Sequence, residues 1–215
     1  MNVLKRLLVG AGFAAGLWML SGQVFAQEAP DELVKRVSQG ILDAVRSDKE
    51  LQRGSRRYIA DFVERHIMPH VDFQRTTALA VGRHWREATS QQQRRLIEEF
   101  RTLLLHTYSG AMAQINDPKL EFKPFRADPN DTDVEVRFQV RRSRGGEPVQ
   151  VGYRLIKSAD GWKIYDVNVL GVWLVETYKG NFSAAINNGG IDGLIDNLSE
   201  KNRMLARNGA PKLPP

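Results

Sequence analysis

The chain has 215 residues, no cysteine, 31 Lys and Arg against 25 Asp and Glu, and a pI near 9.7. That length suits one domain with a sizeable core. The missing cysteines exclude disulfides, thiol catalysis and lipid attachment at an N-terminal cysteine.

Residues 1–26 read as a cleavable export signal. Lys5 and Arg6 form a positive start, Leu7 to Leu20 is uncharged and apolar, and Val24-Phe25-Ala26 precedes Gln27. The apolar run has 14 residues, whereas a spanning helix needs about 20. The expected mature domain covers 27–207, followed by a Pro-rich flexible tail at 208–215. The leader holds no acid, so the net charge of +6 becomes +4 on its removal. In an exported protein that charge points to anionic lipid or an acidic protein face, not to nucleic acid.

Helical stripes come first. Leu33, Val34, Val37, Ile41, Leu42 and Val45 recur at helical spacing from Asp31 to Arg46, with Asp31 as the predicted cap. Tyr58, Ile59, Phe62, Val63, His66 and Ile67 form a second stripe that stops at Pro69. Asp72 is placed to cap a short third helix that ends near Gly82. Ser90 and Gln93 match a capping box for a long fourth helix carrying Leu96, Phe100, Leu103, Leu104, Thr107, Tyr108, Ala111 and Ile115. Arg94/Glu98 and Arg95/Glu99 lie on its other face as i,i+4 pairs, and Asn116-Asp117-Pro118 ends it.

The apolar period then switches to two. Lys119 to Phe125 is a short strand. Val134, Val136, Phe138 and Val140 alternate with charged or amide residues, and Ser143 to Gly146 turns the chain. Val149, Val151, Tyr153 and Leu155 alternate in the next strand, and Ala159-Asp160-Gly161 leads into Trp162 to Leu170. Val172, Val175, Tyr178, Phe182 and Ile186 predict a further helix, broken at Asn187 to Gly190. Ile191, Leu194, Ile195 and Leu198 predict the last. The expected fold is a single α+β domain. Its helices pack on one face of a curved antiparallel sheet of about four strands, leaving an apolar cavity between the layers.

Catalytic groups are sparse. His66 and His70 have metal-ligand spacing, but Pro69 interrupts their helix and no third ligand completes a set, so no metal and no cofactor is expected. No H-E-x-x-H motif and no Gly-rich phosphate loop is present, and Gly10 to Gly16 lies inside the leader. Asp166, beside Tyr153 and Tyr165 in the sheet, is the one candidate for proton transfer. Its simpler reading is a carboxylate that faces out or caps a neighbouring backbone group. Arg141, Arg142 and Arg144, and again Arg53, Arg56 and Arg57, are basic clusters that ordinary solvation explains. Tyr108, Tyr153, Tyr165, Tyr178 and Trp173 on or near the inner faces suit a cavity lining, since each has an apolar body and a polar tip.

Three blocks carry a resemblance to a known family. The first runs from Val71-Asp72-Phe73-Gln74-Arg75-Thr76 through Gly82-Arg83-His84-Trp85 to Glu99-Phe100-Arg101 and Thr107-Tyr108. The second is Asp160-Gly161-Trp162-Lys163-Ile164-Tyr165-Asp166-Val167 with Gly171-Val172, Leu174-Val175 and Tyr178. The third is Asn188-Gly189-Gly190-Ile191-Asp192-Gly193-Leu194-Ile195. Together they resemble the MlaC-type periplasmic phospholipid-binding proteins of the toluene-tolerance family. Trp173 departs from the pattern: a small residue is expected there, and the indole predicts a narrowed pocket mouth.

The resemblance implies an NTF2-like fold and a monomeric, non-enzymatic carrier in the periplasm. It would hold phospholipid acyl chains between helices and sheet. It would pass lipid between an outer-membrane lipoprotein complex and an inner-membrane ABC transporter with an MCE-domain ring, maintaining outer-membrane lipid asymmetry. The residues expected to line the lipid site are Leu104, Tyr108, Met112, Val136, Phe138, Val140, Val151, Tyr153, Val169, Val172, Val175 and Phe182. Two chains of roughly 25–30 methylenes, at about 0.8 kcal/mol each, cost on the order of 20 kcal/mol to expose to water. The alternatives from the residues alone are an NTF2-like enzyme using Asp166 and a periplasmic chaperone for apolar surfaces.

Overall fold

The computed structural model describes residues 27–112, 118–141 and 146–208; the predicted leader, the tail from 209 and most of the predicted turn at 143–146 lie outside them. Helix α1 is Pro30–Ser47. Pro30 has the φ of a first helical residue, so Ala29 takes the cap position and Asp31 falls inside the first turn. The expected Asp31 cap is therefore absent; Asp31 and Glu32 hold Lys35 at 3.1 and 2.6 Å instead. Asp48 caps the short α2 (Lys49–Gln52) and accepts the Tyr58 hydroxyl at 2.7 Å. Helix α3 (Arg56–His66) ends in a 3-10 turn, Met68–His70, which accommodates Pro69.

Asp72 caps α4 (Phe73–Val81) as expected, accepting the Arg75 N–H at 2.9 Å, and Gly82 ends the helix with a φ of 68°. In α5 (Ser90–Met112) the capping box sits one residue earlier than predicted. Thr89 Oγ1 accepts the Gln92 N–H at 3.2 Å, and Gln92 Oε1 accepts the Thr89 N–H at 2.9 Å. Gln93 turns back to Trp85 O. Glu99, expected to pair with Arg95, takes the buried Asn202 amide at 2.8 Å.

Five strands follow in sheet order β1-β2-β3-β4-β5, all antiparallel: Lys119–Phe122, Asp133–Arg141, Val149–Ser158, Gly161–Val169 and Val172–Trp173. The first strand stops short of Phe125. The fifth, two residues long, was not expected; Val172 belongs to it and not to a helix. A bulge at Tyr165 separates the pairs Arg154↔Asp166 and Leu155↔Ile164. One extra residue swaps faces, so Ile164 and Val167 both point to the apolar side while Asp166 points away. Helix α6 (Leu174–Asn208) closes the chain and breaks at Gly190, φ 68°, within the predicted break.

The helices do not form one layer. Leu33, Val34 and Val37 of α1 pack on Val134, Val136, Phe138, Leu155 and Ile164 of the sheet. A separate core joins α4, α5 and α6 through Val81, Leu96, Phe100, Tyr178, Phe182 and Leu194. Val45, Leu51, Ile59 and Phe62 tie α1 to α2 and α3. Phe100 is the hub of the helical core, with ring centroids of Tyr178 and Phe182 at 4.8 and 5.0 Å. Phe100→Ala is expected to cost about 3–5 kcal/mol, measured by urea unfolding.

Candidate functional site

The twelve predicted lining residues fall into separate groups. Val136 and Phe138 are buried under α1, and Val140, Val151 and Tyr153 are half-buried on the same sheet face. Phe138 bridges Phe122 and Tyr153, with centroids at 5.2 and 5.5 Å. Phe182 is buried in the helical core and Leu104 packs against its edge. Val175 is buried at the start of α6. Tyr108, Val169 and Val172 are exposed. The side chain of Met112 lies outside the described residues.

The core under α1 and the helical core share no residue. Helix α5 packs chiefly on α6, α4 and α3; α1 is the helix on the sheet's apolar face, and α4 and α6 touch β4 as well. Apolar side chains are thus left incompletely covered: Val140, Val151 and Tyr153 on the sheet, with Val169 and Val172 beyond them. The register continues the face, since Val151 stands opposite Val169 and Val169 opposite Val172. Burial raises the Tyr153 phenol above its ordinary pKa, with a small opposing effect from nearby Ser38. Tyr178 is likewise raised by burial, and next by its neighbour Tyr108.

The opposite face of the sheet is polar, and three residues expected near the lining belong elsewhere. Trp173 does not narrow a mouth on the apolar side. Its indole lies under the Arg154 guanidinium, 3.8 Å from ring centroid to Cζ. Gly152 makes room for this: a Cβ there would meet Glu135 Oε1 at 3.3 Å and the Trp173 ring at 3.7 Å. Tyr165, displaced by the bulge, donates to Asp133 at 2.9 Å and lies under Arg75. Its phenol is pushed up to about 12, by burial and then by the Asp133 carboxylate. Tyr178 belongs to the helical core.

Asp166 is buried, at 2% exposure, but no tyrosine hydroxyl reaches it. Its Oδ1 accepts the Val167 and Val175 N–H groups at 2.9 and 3.1 Å, and Arg154 stands 3.5 Å from Oδ2. The carboxylate fixes the start of α6: it caps backbone groups, as one form of the simpler reading has it, and does not face out. Burial raises its pKa; the two N–H groups and Arg154 oppose this.

Two hollows lie away from the twelve residues. A groove of about 660 Å³ runs past Glu28, Arg36, His70, Trp162 and Lys163, and a smaller one of about 290 Å³ past Val81, His84 and Lys179. The larger one's charged groups are engaged: Arg36 holds Glu28 at 2.8 and 2.7 Å, and Lys163 donates to Pro69 O at 2.7 Å. His66, the other half of the metal-spaced pair, stacks on Phe62. No group of three or more potential metal ligands occurs among the described residues.

Comparison with known proteins decides the family. The model of the MlaC protein family matches residues 35–200. The chain belongs to the MlaC family. It is similar, at 41% identity and a TM-score of 0.80, to the phospholipid-binding protein from Ralstonia solanacearum, a structure in complex with a phospholipid. That match covers 83% of this chain and 99% of the other. It is 18% identical over 199 residues to the intermembrane phospholipid transport system binding protein MlaC of Haemophilus influenzae, covering 92% and 93% of the two chains. It is 25% identical over 169 residues to toluene tolerance protein ttg2D of Pseudomonas putida, covering 78% and 77%. The family is one of phospholipid-binding and transport proteins, and the α+β fold with its antiparallel sheet is that of the Ralstonia protein.

The raised pKa of Asp166 has a definite sign. An acid with a higher pKa in the folded chain than in the unfolded one loses stability as pH climbs from its ordinary range through the folded value. Asp166→Asn keeps an oxygen for both N–H groups and removes the buried charge. Urea unfolding across that range is expected to show a flatter pH dependence for this variant than for wild type. Asp166→Ala, which leaves both N–H groups unpaired, is expected to cost about 1–3 kcal/mol.

Proposed function

We propose that this chain is a soluble periplasmic phospholipid carrier, released from its leader near Ala26. Acyl chains would occupy the interval between the sheet's apolar face and α5, against Val140, Val151, Tyr153, Leu104 and Tyr108. One observation carries this reading: the apolar face of the sheet is only partly covered, and the helical core that adjoins it packs by itself. A globular chain with no further use for that surface would have merged the two cores. The likeness to a protein solved with phospholipid supports the choice of ligand.

Removing a two-chain lipid from a bilayer costs on the order of 20 kcal/mol unless both chains are enclosed. An interval with aliphatic and aromatic walls on both sides meets that cost; a single surface patch does not. No covalent step is required, and Asp166 has no part in binding. The carrier would exchange lipid between an outer-membrane lipoprotein complex and an inner-membrane MCE/ABC transporter, maintaining outer-membrane asymmetry as a monomer.

Native mass spectrometry of protein purified from a bacterial periplasm is expected to show one bound phospholipid. Protein that stays empty after incubation with phospholipid vesicles would sink the reading. Val151→Asp places a charge on the half-buried wall and is expected to lower lipid occupancy at least tenfold. Near-UV circular dichroism of the same sample checks that the fold is intact.

A further inference from the structure

The turn joining β4 to β5 breaks two ordinary preferences at once. Val169 pairs with Val172, and the residues between them, Leu170 and Gly171, have φ of 54° and 87°. Positive φ at both central positions is the I′ hairpin turn, which favours Asn-Gly. Leu170 is the only non-glycine residue with positive φ among the described residues. A bulky side chain is strained there. Leu170 is also 66% exposed, more than any other large apolar side chain of the described residues. An asparagine would relieve both faults. The inference from such an outlier runs toward use.

The surroundings narrow that use. The turn is held firmly: Leu170 N–H donates to Gln150 O at 2.9 Å, and Gly171 N–H to Asn168 Oδ1 at 3.0 Å. Val169 and Val172, 45% and 61% exposed, flank the apex on the apolar side of the sheet. Apolar surface therefore continues from Val151 through Val169 to Leu170. At the same end of the sheet, on the far strands β1 and β2, exposed Lys119 stands opposite Arg141, whose guanidinium is paired with Glu121. The chain as a whole is basic, and it keeps a net charge of +4 without the predicted leader. A small rigid aliphatic apex on a basic chain, with Lys119 exposed at the same end of the sheet, suits an anionic lipid surface, where cations meet headgroups and the apex reaches the acyl layer.

We infer that the β4–β5 turn is a wedge that enters the surface of an anionic phospholipid bilayer, with Leu170 at its tip. If the chain carries lipid as proposed above, the wedge joins the bilayer interior to the carrier's apolar wall, and an acyl chain crosses without meeting water. The wedge itself stands on the turn and does not need that reading.

Flotation with vesicles of phosphatidylglycerol and phosphatidylethanolamine tests it. Wild type is expected to float with the vesicles, and less so at high salt. Leu170→Asn, polar and suited to positive φ, is expected to weaken association about tenfold or more. The same variant should unfold at the wild-type temperature or higher and carry wild-type lipid by native mass spectrometry. Leu170→Trp should float at least as well as wild type. Wild type that ignores bare vesicles overturns the wedge and leaves the turn to a protein face. A Leu170→Asn variant that floats like wild type overturns it too, as does one that loses its carried lipid, which would place Leu170 in the binding site. Protein that carries no lipid yet floats through Leu170 keeps the wedge and removes the carrier.

Discussion

One helix cannot cover a five-stranded sheet, and the rest of the structure follows from that mismatch. Five strands at about 4.8 Å spacing make a face roughly 19 Å wide, while a helix with its side chains is about 10–12 Å across. Helix α1 buries Val134, Val136, Phe138 and Leu155. It leaves Val140, Val151, Tyr153, Val169 and Val172 in various states of exposure. Helices α4, α5 and α6 do not supply the missing cover, because their own apolar stripes meet one another around Phe100. A partly covered face is costly for a protein with no ligand and useful for one whose ligand is apolar.

The sequence showed most of the elements and did not separate lining from core. Period and caps placed α1, α3, α4 and the start of α5 within a residue or two, Pro30, Pro69, Asp72 and Gly82 each constraining the backbone directly; the predicted end of α5 at 116–118 lies largely outside the described residues. Where two adjacent residues offered the same chemistry, the pattern chose wrongly: Thr89 caps α5 and Ser90 begins it. The two-residue β5 was invisible since Val172 and Trp173 fit a helical stripe as well as a strand. The bulge at Tyr165 had no signature either, and it puts the neighbouring side chains Tyr165 and Asp166 on the same face. Tyr165 and Trp173 consequently face the polar side. Lining and core could not be separated by composition. Phe182 and Val136 became core, whereas Val151 and Val169 remained open, and the difference lies in which helix happens to lie above each.

The polar face of the sheet has its own economy of contacts. Asp166 is the least solvated carboxylate described, yet it accepts two backbone N–H groups and sits near an arginine that is itself stacked on Trp173. The group that looked most reactive in sequence is the one that sets the direction of α6. Gly152 suits this arrangement, because a Cβ there would crowd Glu135 Oε1 and fill the space beside the indole. A buried acid near a tyrosine in the sequence thus says little about chemistry until their faces are known.

Helix α1 has a further consequence for how the molecule is assembled. It is made first among the described elements, and the strands that it covers emerge roughly a hundred residues later. Contacts so distant in sequence form slowly. Until they form, the meander shows its whole apolar face, and an unattached helix of matching shape is available from any second copy. Exchange of α1 between two chains would satisfy the same contacts. The order of synthesis therefore leaves that face open until α1 docks on it.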